Sequence, residues 1–69
     1  MNLAQKLYYL RTKRGLNQAE LAERANLTQG AIAHYEAGRS TPTKNNLIQL
    51  AKVLEVEPED LTDDTRSVS

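Results

Sequence analysis

Gln29 and His34 are two hydrogen-bonding side chains set among Gly30, Ala33 and Ala37 in the stretch LTQGAIAHYEAG, residues 27–38. A glutamine amide offers a donor and an acceptor side by side, the pattern that pairs bidentately with the N6/N7 edge of adenine. An imidazole one to two turns further on reaches another base or a phosphate. At 3.6 residues per turn from Thr28, these five residues share one side of a helix, while Ala31, Ile32 and Tyr35 form an ordinary core stripe on the other. A solvated face normally carries Lys, Glu and Arg. This one is small and polar, and its glycine costs the helix roughly 1 kcal/mol relative to alanine. Small residues allow a helix axis to approach base edges in a B-DNA major groove, about 12 Å wide, that longer side chains would hold off.

Other chemistry finds no residues to carry it. The chain has one histidine and no cysteine, and no carboxylate is evidently paired with the imidazole. No catalytic group, metal site or cofactor is therefore expected. Without cysteines there is also no disulfide framework. The longest apolar runs are only a few residues, which predicts neither a transmembrane helix nor a secretory signal and makes a soluble, cytoplasmic protein the expectation.

The elements that would hold the 27–38 face are legible from caps and periodicity. Asn2 with Gln5 reads as a capping box, Leu3, Leu7 and Leu10 recur at helical spacing, and Gly15 stops a first helix at about Arg14. Asn17 with Glu20 repeats the start signal for a second helix, which ends near Ala25; Asn26 suits a left-handed turn, Leu27 tucks inward and Thr28 caps the third helix. Gly38 closes that helix at its C′ position. After the loop RSTP, Thr43 caps a fourth helix with Leu47, Leu50, Ala51 and Leu54 inside, and Pro58 opens a short fifth helix that carries Glu59, Asp60 and Leu61. No segment alternates with period two. The expected fold is all-α: a compact five-helix bundle over residues 1–62, followed by a polar, flexible tail at 63–69. Tyr8, Tyr9 and Tyr35 are assigned to the core or its edge. Only about three residues join helices two and three, enough for two short helices crossing at a wide angle, which is a helix-turn-helix.

Charge divides the 69 residues unevenly. Residues 1–53 carry eight Lys/Arg against three Glu, and residues 54–69 carry one Arg against six Asp/Glu. The split points to a body that faces a polyanion and an acidic end turned away from it. A chain this short buries only about 60% of its unfolded surface, so every helix must supply a packing face.

The stretch GLNQAELAERANLTQGAIAHYEAG, Gly15 to Gly38, resembles the helix-turn-helix of the lambdoid phage repressor and Cro family, the xenobiotic-response-element family. The likeness extends through Pro42 and LIQLAKVLEVEPEDL, Leu47 to Leu61, and covers residues 2–62. Its specific parts are Gln-x-x-Leu-Ala at Gln18 to Ala22, Tyr-Glu-x-Gly at Tyr35 to Gly38 and Leu-Ala-x-x-Leu-x-Val at Leu50 to Val56. The resemblance implies that Gln18 holds a phosphate and braces Gln29, that Thr28, Gln29, Gly30 and His34 face the groove with Ala33 beside them, and that Arg39, Ser40, Thr41 and Lys44 meet the DNA backbone. It implies too that Arg11 reaches Glu36, which falls at the border of the third helix's core stripe, where an unpaired carboxylate is costly.

The function this leads to is a bacterial or phage transcriptional regulator that binds double-stranded DNA, foremost a repressor occluding a promoter. One recognition helix reads too few base pairs to select a site from a genome, so a homodimer on an inverted-repeat operator is expected. The dimer surface is placed near the fourth and fifth helices with Val56 and Leu61 as its apolar part. The alternatives are a restriction-modification controller protein, an antitoxin-type autoregulator, and a protein-interaction module that has lost DNA binding.

Overall fold

The computed structural model describes residues 1–61. Among these residues the chain forms α1 (Leu3–Lys13), α2 (Gln18–Ala25), α3 (Gln29–Glu36), α4 (Lys44–Leu54) and a terminal 3₁₀ helix, Pro58–Leu61. The tail expected at 63–69 lies outside the described residues.

Each α-helix starts on a side chain that satisfies an otherwise orphaned donor. Asn2, Asn17, Thr28 and Thr43 accept from the backbone N–H groups of Gln5, Glu20, Ala31 and Asn46, and the two asparagines complete reciprocal capping boxes. The helices also end alike. Gly15, Asn26, Gly38 and Glu55 have φ values of 73°, 60°, 75° and 59°, all left-handed. In each case the next residue donates its N–H to a carbonyl five positions back: Leu16 to Arg11, Leu27 to Ala22, Arg39 to His34 and Val56 to Ala51. Leu16, Leu27 and Val56 then turn their side chains against the core. Arg39 occupies the corresponding position after α3 and stays exposed.

Glu55 is the residue least suited to its turn, because a left-handed conformation strains any side chain with a Cβ. Its partner is Arg14, 3.1 Å away, with the two side chains 39% and 70% exposed, so the ion pair adds little. Glu55→Gly is expected to stabilise the fold by roughly 0.5–1 kcal/mol, raising Tm by a few degrees. Thermal unfolding checks this, and a lower Tm would mean that the ion pair outweighs the strain.

The fifth helix is corrected in kind. The segment is only four residues long, its Asp60 N–H donates to the Glu57 carbonyl in an i→i+3 bond at 2.9 Å, and Pro58 has no N–H to add to the ladder. The described residues therefore hold four α-helices and a 3₁₀ turn in place of five helices. A second correction concerns Leu61, which is fully buried alongside Leu7, Leu21, Ile32, Leu50 and Leu54. It locks the 3₁₀ turn onto α1 and α4 and has no surface left for a dimer. A third concerns Tyr8 and Tyr9, which are 55% and 48% exposed, whereas Tyr35 is buried as expected. The inward stripe of α1 runs through Leu3, Leu7 and Arg11 at four-residue steps, and this leaves both tyrosines outside it. Their rings lie instead beside cations, with Arg11 5.2 Å and Lys13 5.7 Å from the ring centres of Tyr8 and Tyr9.

α3 packs on α1 and α2, and α4 packs on α2 and the 3₁₀ turn. The inner face of α3, through Ile32 and Tyr35, belongs to the common core, so its opposite face is the one presented outward.

Candidate nucleic-acid interface

Gln29, Gly30, His34 and Ala37 are exposed and Ala33 half-buried, all on that outward side of α3. Thr28, also exposed, holds the helix end: its hydroxyl oxygen accepts from the Ala31 N–H at 3.1 Å, which leaves the hydroxyl proton free to donate. Gly30 is not needed for packing. A methyl group there would touch only the Thr28 hydroxyl oxygen, at 4.0 Å.

The loop after α3 carries Arg39, Ser40 and Thr41, all exposed, and Lys44 follows as the first residue of α4. Both ends of this segment are tied to α3. The Arg39 N–H donates to the His34 carbonyl at 2.9 Å, and the Asn46 side-chain amide donates to the Tyr35 hydroxyl at 3.2 Å. The polar loop therefore keeps a defined position beside the helix.

Behind the outward face lies a buried polar seam. Arg11, 8% exposed, donates from Nε to Glu36 Oε2 at 2.6 Å and from Nη2 to Glu36 Oε1 at 3.0 Å, a two-pronged pair. Its Nη1 donates to the Leu16 carbonyl at 2.8 Å. The hydrogen bond to Glu36 pushes the Arg11 pKa above its usual value, against the opposing effect of burial. The pair joins α1 to the end of α3 as the resemblance implied. Gln18, however, does not brace Gln29: its Nε2 donates to Glu36 Oε1 at 3.1 Å. Three helices thus meet on one carboxylate. Among the described residues no buried side-chain nitrogen or oxygen lacks a partner. The Gln18 and Asn46 links were not foreseen, since a bond across 18 or 11 residues leaves no local pattern. A signal for Arg11 did exist in its place four residues after Leu7 on the α1 stripe.

A helix-turn-helix family model, HTH_3, matches residues 7–61. The chain belongs to this helix-turn-helix family. The match takes in α2, α3 and their three-residue connection, the unit on which all the exposed α3 residues sit. Solved members of similar fold include the P22 c2 repressor, crystallised with the synthetic operator 9T: TM-score 0.87, 26% identity, 90% of this chain and 94% of that one covered. The restriction-modification controller protein C.AhdI from Aeromonas hydrophila superposes with TM-score 0.82 at 34% identity, over 86% of this chain and 89% of its own. SinR, the master regulator for biofilm formation, solved in complex with DNA, gives TM-score 0.82 at 27% identity, covering 86% and 95%. No curated protein sequence matches.

Proposed function

We propose that this helix-turn-helix protein is a transcriptional regulator that reads double-stranded DNA with α3 and acts as a repressor. The observation that carries the proposal is the outward face of α3: Gln29 and His34 stand among small residues, and nothing inside the protein requires Gly30 to be small. In this reading Gln29 reads a base edge, Thr28, Ala33 and His34 lie in the groove, and Gln18, Arg39, Ser40, Thr41 and Lys44 meet backbone phosphates. Similar proteins crystallised with an operator or with DNA support it.

Gly30→Ala separates packing from recognition. Alanine favours a helix over glycine by roughly 1 kcal/mol, and the site has room for its methyl group, so Tm is expected to rise. Affinity for the best DNA site is expected to fall, because the added methyl stands between α3 and the groove floor and overpacking a close contact costs about 1–3 kcal/mol. Affinity that stays unchanged would remove close approach from the argument.

Readout by a single helix is too short for genomic selectivity, so the working form is a homodimer on an inverted repeat with half-site centres about one helical turn, roughly 10 base pairs, apart. With Leu61 in the core, the dimer face shifts to Leu10 and Val56. These half-buried residues line two adjoining grooves, one edged by Arg14 and Glu55, the other by Lys6 and Glu59. Selection from a random duplex pool, followed by footprinting and sedimentation, tests the whole reading. An inverted repeat occupied by two protomers is expected. Failure to enrich any sequence would favour the protein-interaction alternative, and one protomer at full affinity on an isolated half-site would end the dimer. A second reading, as a restriction-modification controller, is favoured by the 34% identity to C.AhdI.

A further inference from the structure

Glu36 sits under the helix-turn-helix with its side chain 7% exposed, and three donors converge on it. Two come from Arg11 and already satisfy its charge. The third comes from Gln18, the first residue of α2, whose side chain is half-buried and so lies between the seam and the surface. An ionised carboxylate only accepts hydrogen bonds. Gln18 must therefore turn its amide nitrogen inward, which leaves one N–H and the carbonyl oxygen facing out. The Asn17 side chain caps the Glu20 N–H, so at this helix end the backbone donors of the first two residues have no cap partner. A side chain with a single held orientation stands beside them.

We propose that Glu36 is a positioning residue for DNA binding, acting through Gln18: the buried ion pair fixes the amide that donates to a backbone phosphate. This rests on the reading of the protein as a DNA binder and adds to it a residue that never touches DNA. Because Arg11 pins both carboxylate oxygens, the anchor is as rigid as the α1–α3 junction. The ordering entropy of Gln18 is thus removed before DNA arrives.

The test replaces the pair without stranding a charge. R11M/E36M puts apolar side chains of similar length in the seam; it strands no charge, though the Leu16 carbonyl loses its donor, so only a modest loss of stability is expected. Affinities for the best duplex from the random pool and for an unrelated duplex are measured for this variant, for Q18A and for the triple variant, each shown folded by circular dichroism. R11M/E36M is expected to lose about twofold to tenfold on both duplexes, the cost of ordering one side chain on binding, since a phosphate contact is blind to sequence. Q18A, which removes the contact itself, loses about tenfold, and the triple variant loses no more than Q18A. Full affinity in R11M/E36M, or a triple variant in which the two losses multiply, overturns the proposal. A wild-type protein that prefers no duplex overturns the DNA reading itself. Side-chain ¹⁵N relaxation on the wild-type protein provides a second measurement that does not depend on variants folding. The Gln18 amide is expected to be rigid while the exposed amides of Gln29 and Gln49 move; a Gln18 as mobile as Gln49 is equally fatal.

Discussion

Arg11→Ala should cost the fold about 3–5 kcal/mol, the range found when one partner of a buried ion pair is removed and the other left behind. Solvent does little to screen the pair. The Arg11 and Glu36 side chains are 10% and 7% exposed, and their shortest contact is 2.6 Å. The truncation strands the Glu36 carboxylate with only the Gln18 amide and deprives the Leu16 carbonyl of its donor. A domain of this size holds roughly 3–10 kcal/mol in total, so the variant is expected to forfeit a large part of its stability and to melt far below the wild type. Arg14→Ala serves as the control. Its pair with Glu55 is open to solvent, and a loss of about 0–1 kcal/mol is expected. Equal melting temperatures for the two variants would show that the seam contributes no more than a surface pair. Because R11M/E36M loses the same Leu16 donor without stranding a charge, its comparison with Arg11→Ala separates the cost of an orphaned charge from the worth of the pair.

Gln29→Ala should weaken binding to the best site by roughly 1–3 kcal/mol, about fivefold to 150-fold, while leaving binding to unrelated sequence nearly unchanged. The side chain is exposed at the first position of α3, so its removal leaves the core intact and the Tm close to that of the wild type. Lys44→Ala gives the opposite signature. It removes a charge at the start of α4, weakening all sequences alike and reducing the dependence of log affinity on log salt by about one. Titrations of both variants on specific and unrelated duplexes at several salt concentrations decide the matter. If the two variants behave identically, base reading and backbone holding are not divided between these residues.

Local chemistry accounts for what could be read directly. The four caps, the two capping boxes and the left-handed residues Gly15, Asn26 and Gly38 all depend on side chains within a few positions of the backbone groups they serve. Such interactions survive as patterns in a linear chain. The core of α4 through Leu50, Ala51 and Leu54 was equally plain, because helical periodicity places those residues on one face wherever the helix packs. The outward face of α3 followed from the same periodicity, since a stripe with a buried side has an exposed one.

What failed or went unseen depended on partners distant along the chain. Glu55 takes a left-handed turn that its residue type disfavours, because Val56 gains a place against the core. Leu61 left the expected dimer surface when the 3₁₀ turn folded onto α1 and α4, and Tyr8 and Tyr9 left the core edge because Arg11 occupies the inward step of α1. The choice of Glu36 over Gln29 as the partner of Gln18 belongs to the same class. The sequence by itself determined the four α-helices, the ends of α1, α2 and α3 and which side of α3 is free, since each is settled by residues one to four apart. Only the tertiary structure decided that α1, α2 and α3 converge on one carboxylate, because a buried charge takes whichever donors the packed helices bring within about 3 Å, and no spacing along the chain records that.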